Sequence, residues 1–132
     1  MIGPLATVFQ LGYSLMLIAV GFWGIFTAPW ELHAIFALDP ARVGDPPTLL
    51  GQYRFLKAVE ASFGLFCLFQ RRDILDGGPN SVLFLTGCGL GVFARSWSWA
   101  VDGRPAGAFI AFLVLGAITF ALVWLHARRE RG

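Results

Sequence analysis

Charge is what this chain has least of. Asp, Glu, Lys and Arg make up 14% of its 132 residues, against about 25% in a soluble globular domain. Hydrophobic residues make up 57% and mean hydropathy is +0.69, so polar surface is too scarce for a water-soluble fold. The net charge of +2 leaves no basic surface for nucleic acid. Chemistry-bearing motifs are missing as well. No Cys/His metal cluster, nucleophile elbow, phosphate loop or glycine-rich nucleotide fingerprint occurs. The sequence therefore names no catalytic residue, no metal and no cofactor.

What is present is a set of long apolar runs. Four of them, at about 5–28, 49–70, 80–99 and 105–126, each hold roughly 20 residues or more, enough to cross a hydrocarbon core of about 30 Å as helices. They predict a single domain over 1–132, an all-α integral membrane protein built as a four-transmembrane-helix antiparallel bundle. Five Trp and thirteen Phe suit lipid contact and interfacial anchoring. The first run has no Lys or Arg before it and no small-residue cleavage site, which argues against a removable signal peptide.

Punctuation between the runs sets the topology. Residues 29–48 hold Glu31, His33, Asp39, Arg42 and Asp45 and read as an extramembrane loop, in which Trp30, Ile35, Phe36 and Leu38 form a short interfacial segment. Arg71-Arg72-Asp73 with Asp76-Gly77-Gly78-Pro79, and then Asp102-Gly103-Arg104-Pro105, make tight turns. The first of these turns makes the second and third spans antiparallel neighbours. One face carries Arg71, Arg72, Arg128, Arg129 and Arg131, the other only Arg42 and Arg104, so the positive-inside rule places both termini in the cytoplasm of a bacterial inner membrane. His33 and His126 then lie on opposite faces and cannot share a haem or metal. Cys67 and Cys88 differ in depth, which argues against a disulfide.

Ionisable residues inside a span are costly enough to mark a candidate site. Arg54, Lys57 and Glu60 fall within an arc of about 120° on the second span, and Arg95 lies near the end of the third. Side-chain lean brings Glu60 and Arg95 toward each other. Glu60 is too deep and too short to reach water, so it must pair with Lys57 or Arg95 or be protonated. One reading is a buried ion-pair network closed by Asp102. The other is a pocket in the outer half of the bilayer for an anionic or amphipathic ligand. Small residues at four-residue spacing, Gly87 with Gly91 and Gly107 with Ala111, mark helix-packing faces, and Gly12, Gly21 and Gly24 in the first span allow the same.

Gly51-Gln52-Tyr53-Arg54 followed by Gly64, and Ala94-Arg95-Ser96 through Asp102-Gly103-Arg104-Pro105, resemble an uncharacterised family of small four-span bacterial membrane proteins, a domain of unknown function. The resemblance runs from about Leu50 to Leu125. It implies the four-helix fold and carries over Arg54, Arg95, Asp102, Gly103 and Pro105. That family often has a glutamate in the middle of its last span, where this chain reads Leu115-Gly116. Two functions are expected from all this. One is a non-enzymatic accessory subunit that packs through lipid-facing aromatics and glycine faces onto a larger respiratory or photosynthetic complex, its partners being the bilayer and other membrane subunits. The alternative is a carrier or small membrane enzyme using the charged cluster.

Overall fold

The computed structural model describes residues 2–34 and 46–132. These form six helices: α1 (Ile2–Phe26), α2 (Ala28–Ala34), α3 (Pro46–Phe69), α4 (Arg71–Leu75), α5 (Pro79–Asp102) and α6 (Gly107–Arg131). Their ends follow from backbone chemistry. α3 opens on Pro46-Pro47 and α5 on Pro79, where a missing N–H has no helical partner to lose. α5 stops at Gly103, whose φ of 101° and ψ of −176° lie in a region essentially reserved for glycine. Asp73 accepts the Asn80 N–H at 2.8 Å and so caps α5 from outside the helix.

Hydroxyls within the long helices bond back to their own backbone. Thr7, Ser14, Ser62, Ser96 and Thr119 each donate to the carbonyl four residues earlier, at 2.7–2.9 Å. This hides a polar group without help from water or another helix.

The four long helices are arranged in the order α3, α1, α6, α5. α3 lies along α1, α1 along α6, and α6 along α5. The tightest seam is α1 on α3. A Cβ on Gly21 would lie 2.6 Å from the Ala61 nitrogen, one on Gly24 would meet the Lys57 stem at 2.6–2.9 Å, and one on Gly64 would meet Leu17 and Ile18 at 2.8–2.9 Å. Small residues let these backbones touch. The other marked glycines sit differently. Gly87 lies under the Phe63 ring, while Gly91 and Gly107 face open space and Ala111 is exposed, so none of the last three joins two helices of this chain.

Gly3 abuts His126, and Gly77 abuts Ala127 and Arg131, so both termini and the α4 turn share one end. The expected pairing of the second and third spans is not what is observed. α3 and α5 are linked at that end by α4 but do not pack along each other. Phe63 of α3 bridges to α5 by stacking on Phe84, with ring centres 6.2 Å apart, and by covering Gly87, while Tyr13 of α1 meets Phe84 edge-on at 6.1 Å. Above this aromatic floor the two helices leave a cleft.

Two helices, α1 and α6, are long and apolar enough to cross a membrane. In their most apolar stretches only 28% and 17% of residues are buried, the opposite of a core helix in a soluble domain. α3 and α5 are less apolar, because α3 carries Arg54, Lys57 and Glu60 and α5 carries Arg95, Asp102 and several hydroxyls. The first part of the segment read as an extramembrane loop is helix α2, which folds back so that Ala28, Glu31 and Leu32 are buried. Trp30 is exposed and meets Trp23 edge-on at 6.3 Å. Ile35, Phe36 and Leu38 lie outside the described residues.

Candidate functional site

Lys57 organises the polar centre. Its ammonium lies 3.0 Å from Glu31 Oε1 and 3.1 Å from Glu60 Oε2, with side-chain exposures of 5% for Lys57, 1% for Glu31 and 22% for Glu60. Tyr53 donates its hydroxyl to Glu31 Oε1 at 2.5 Å, and its ring lies 5.3 Å from the Lys57 nitrogen. By sequence Glu31 falls in the segment that reads as an extramembrane loop. Its partner Tyr53 stood only within the Gly51-Gln52-Tyr53-Arg54 motif. The local signal was the spacing of Ala28, Glu31 and Leu32, which puts three residues on one side of a helix.

Arg54 stands apart from this network. It is exposed and donates Nε–H to the Ile25 carbonyl at 3.1 Å. Pro29 explains the bond. A proline four residues on has no N–H to give to the Ile25 carbonyl, and Arg54 supplies a donor in its place. Gln10, fully buried, acts similarly by donating Nε2–H to the Cys67 carbonyl at 2.8 Å in the last turn of α3, where helical partners run out. Asp102 does not close the ion-pair network. It is exposed at the end of α5 and accepts the Ser98 hydroxyl at 3.0 Å.

Arg95 sits across from Glu60. Its guanidinium packs on the rings of Phe109, 5.1 Å away, and Phe112, 5.8 Å away. Among the described residues it has no carboxylate within ion-pair distance and no hydrogen-bond acceptor. Five N–H donors on a half-buried side chain thus lack a partner.

Three hollows meet at Arg95. The largest, about 380 Å³, is the cleft between α3 and α5, backed by α1 and α6. Leu56, Val59, Phe63, Gly87, Gly91 and Leu113 give it apolar walls, and Glu60 and Arg95 are its charged groups. Leu56, Val59, Gly87 and Gly91 are themselves exposed, so the cleft opens sideways. A second hollow of about 40 Å³ has Tyr13, Met16, Val20, Glu60 and Arg95 around it. A third of about 200 Å³ lies toward the α5–α6 turn, beside Ser98, Trp99 and Pro105.

Cys67 and Cys88 are both free and buried, with the Cys88 thiol donating to the Gly116 carbonyl at 3.4 Å. Among the described residues no group of His, Cys, Asp and Glu is arranged to hold a metal ion. Comparison with protein families, curated proteins and solved structures finds no match to this chain.

Proposed function

We propose that this chain is a four-span protein of a bacterial inner membrane, with both termini cytoplasmic, that binds an amphiphile in the cleft between α3 and α5. The tail lies in the apolar, sideways-open part of the cleft and an oxygen-bearing head lies on Arg95. The observation that carries this reading is a guanidinium with no carboxylate or hydrogen-bond acceptor among the described residues, at the charged end of an apolar cleft of about 380 Å³, a volume within the range of about 300–1,000 Å³ usual for small-molecule sites. Membrane embedding is supported by the bare apolar faces of α1 and α6 and by the self-satisfied hydroxyls. It is supported too by exposed Phe26, Phe55, Phe69, Phe93 and Trp97, too large an apolar surface for a soluble monomer.

The test is gentle extraction of the natively expressed protein and mass spectrometry of what travels with it. The expected result is one enriched amphiphile on the wild type and none on Arg95→Gln, with both proteins equally folded. No enriched amphiphile, or equal amounts on both proteins, refutes the proposal. The accessory-subunit reading draws support from one observation, the exposed apolar face of α5 along Leu83, Leu90, Phe93, Trp97 and Val101. Stoichiometric protein partners in the same extract favour it, and a lone bundle counts against it. The orientation is checked by labelling single cysteines placed at Arg104 and Arg131 from each side of the membrane.

A further inference from the structure

The charged end of the cleft says what kind of head it takes. Glu31 and Glu60 share one ammonium, that of Lys57, so by formal charge the trio carries one negative charge in excess. Arg95 supplies the compensating positive charge but stands outside ion-pair distance of any carboxylate among the described residues. Both Glu60 and Arg95 line the hollow of about 40 Å³. Taken together by formal charge, Glu31, Lys57, Glu60 and Arg95 are neutral and dipolar. A simple anion on Arg95 would leave the neighbouring Glu60 with an uncompensated charge in a poorly hydrated site. A head with a cation beside its anion leaves every charge paired.

Resting on the amphiphile reading above, we infer that the ligand is a lipid with a zwitterionic head carrying a primary ammonium, its anionic oxygens on Arg95 and its ammonium in the small hollow against Glu60. The size of that hollow supports this. A water needs about 10–15 Å³ of such space, so about 40 Å³ has room for an ammonium, whose N–H groups can donate to Glu60 where a trimethylated head has none to give. The groups facing the hollow agree. α1 presents Tyr13 and Met16, α6 presents Phe112, and α3 and α5 present only Glu60 and Arg95 as charges. Glu60, whose Oε2 meets Lys57, offers acceptor capacity to a second donor.

The experiment measures retention of three lysolipids with one acyl chain, carrying phosphoethanolamine, phosphocholine or phosphoglycerol heads, by native mass spectrometry of the intact protein from mixed micelles. Wild type is expected to retain the phosphoethanolamine form about tenfold over the other two, a preference equivalent to about 1.4 kcal/mol. Glu60→Gln should still bind but lose the preference over phosphoglycerol. Equal or stronger retention of phosphoglycerol by wild type overturns the zwitterion inference and leaves the amphiphile reading standing. So does equal retention of phosphocholine, a comparison that needs no variant and therefore survives if Glu60→Gln fails to fold. Retention of none of the three, with Gly91→Leu and Arg95→Gln indistinguishable from wild type, overturns both.

Discussion

Removing the Lys57 charge is the sharpest test of the polar centre, because one ammonium serves two carboxylates. Lys57→Met keeps an unbranched stem in the space beside Gly24, where the Lys57 methylenes lie, and deletes only the ammonium. At 3.0 and 3.1 Å each ion pair has a gross attraction of about 5 kcal/mol at an effective dielectric near 20. Most of this offsets the desolvation of the three groups. The net effect of deleting one partner of a buried pair is about 3–5 kcal/mol, because a carboxylate is left uncompensated. Glu60, with 22% of its side chain exposed, recovers some hydration. Glu31, at 1%, recovers none and keeps, among the described residues, only the Tyr53 hydroxyl. The expected loss is therefore about 3 kcal/mol and belongs mainly to Glu31.

A double-mutant cycle separates the terms. Wild type, Lys57→Met, Glu31→Gln and the double variant are unfolded reversibly with sodium dodecyl sulfate in mixed micelles and followed by circular dichroism. The double variant should regain more than half of the Lys57→Met loss, since glutamine keeps an acceptor for Tyr53 and carries no charge. A Lys57→Met loss under about 1 kcal/mol, or a double variant weaker than Lys57→Met alone, would refute the reasoning.

Arg54→Gln should cost about 1–2 kcal/mol by leaving the Ile25 carbonyl without its donor, and the same change made in a Pro29→Ala background should cost less, because residue 29 then has its own N–H; equal losses in the two backgrounds would break the link. Gly21→Val should destabilise by at least ~1–3 kcal/mol through overpacking against the α3 backbone, whereas Gly107→Ala should be neutral or slightly stabilising; the same unfolding titration reads both. Gly103→Ala should cost about 1–3 kcal/mol from backbone strain alone, since nothing lies within 4 Å of the added methyl, and an unchanged midpoint would show that the turn relaxes freely.

The apolar runs of α1 and α6 announce themselves in the sequence, and the Lys57–Glu60 pair follows from its three-residue spacing. Glu31 does not, because Pro29 and a run of polar residues read as an exit into water. Only the tertiary fold shows α2 turning back along α3. The cleft is equally hidden. A short connection between α3 and α5 suggests that they pack together, but contact is decided by surface shape. α1 offers Gly21 and Gly24 to Lys57 and Ala61 of α3, and α3 offers Gly64 to Leu17 and Ile18 of α1, so the closest backbone approach is there. Phe63 and Phe84 stand between α3 and α5 and hold them apart. Glycine spacing indicates that a close approach exists without naming the helix that makes it, as the open space at Gly91 and Gly107 illustrates.

Hydropathy singles out α1 and α6 and passes over α3 and α5 for a reason tied to the cleft. Averaging along a helix mixes its two sides. On α3 the exposed side carries Phe55, Leu56 and Val59, while Lys57 is buried against α1 and α2. Each charge placed centrally in a lone helix costs about 2.5–3.5 kcal/mol on the insertion scale, so α3 by itself is a poor span. Its charges become acceptable once Glu31 has joined Lys57 and the Ile25 carbonyl has joined Arg54, and both partners come from the α1–α2 segment. Under the four-span reading, insertion of α3 therefore depends on residues 2–34 being in the membrane first. A chain of residues 46–132 should insert α6 but leave α3 accessible to protease, and supplying residues 1–34 as a separate chain should restore protection. Full protection of α3 without them would show that its charges are tolerated by lipid alone, and the Glu31–Lys57–Glu60 centre would then be dispensable for assembly.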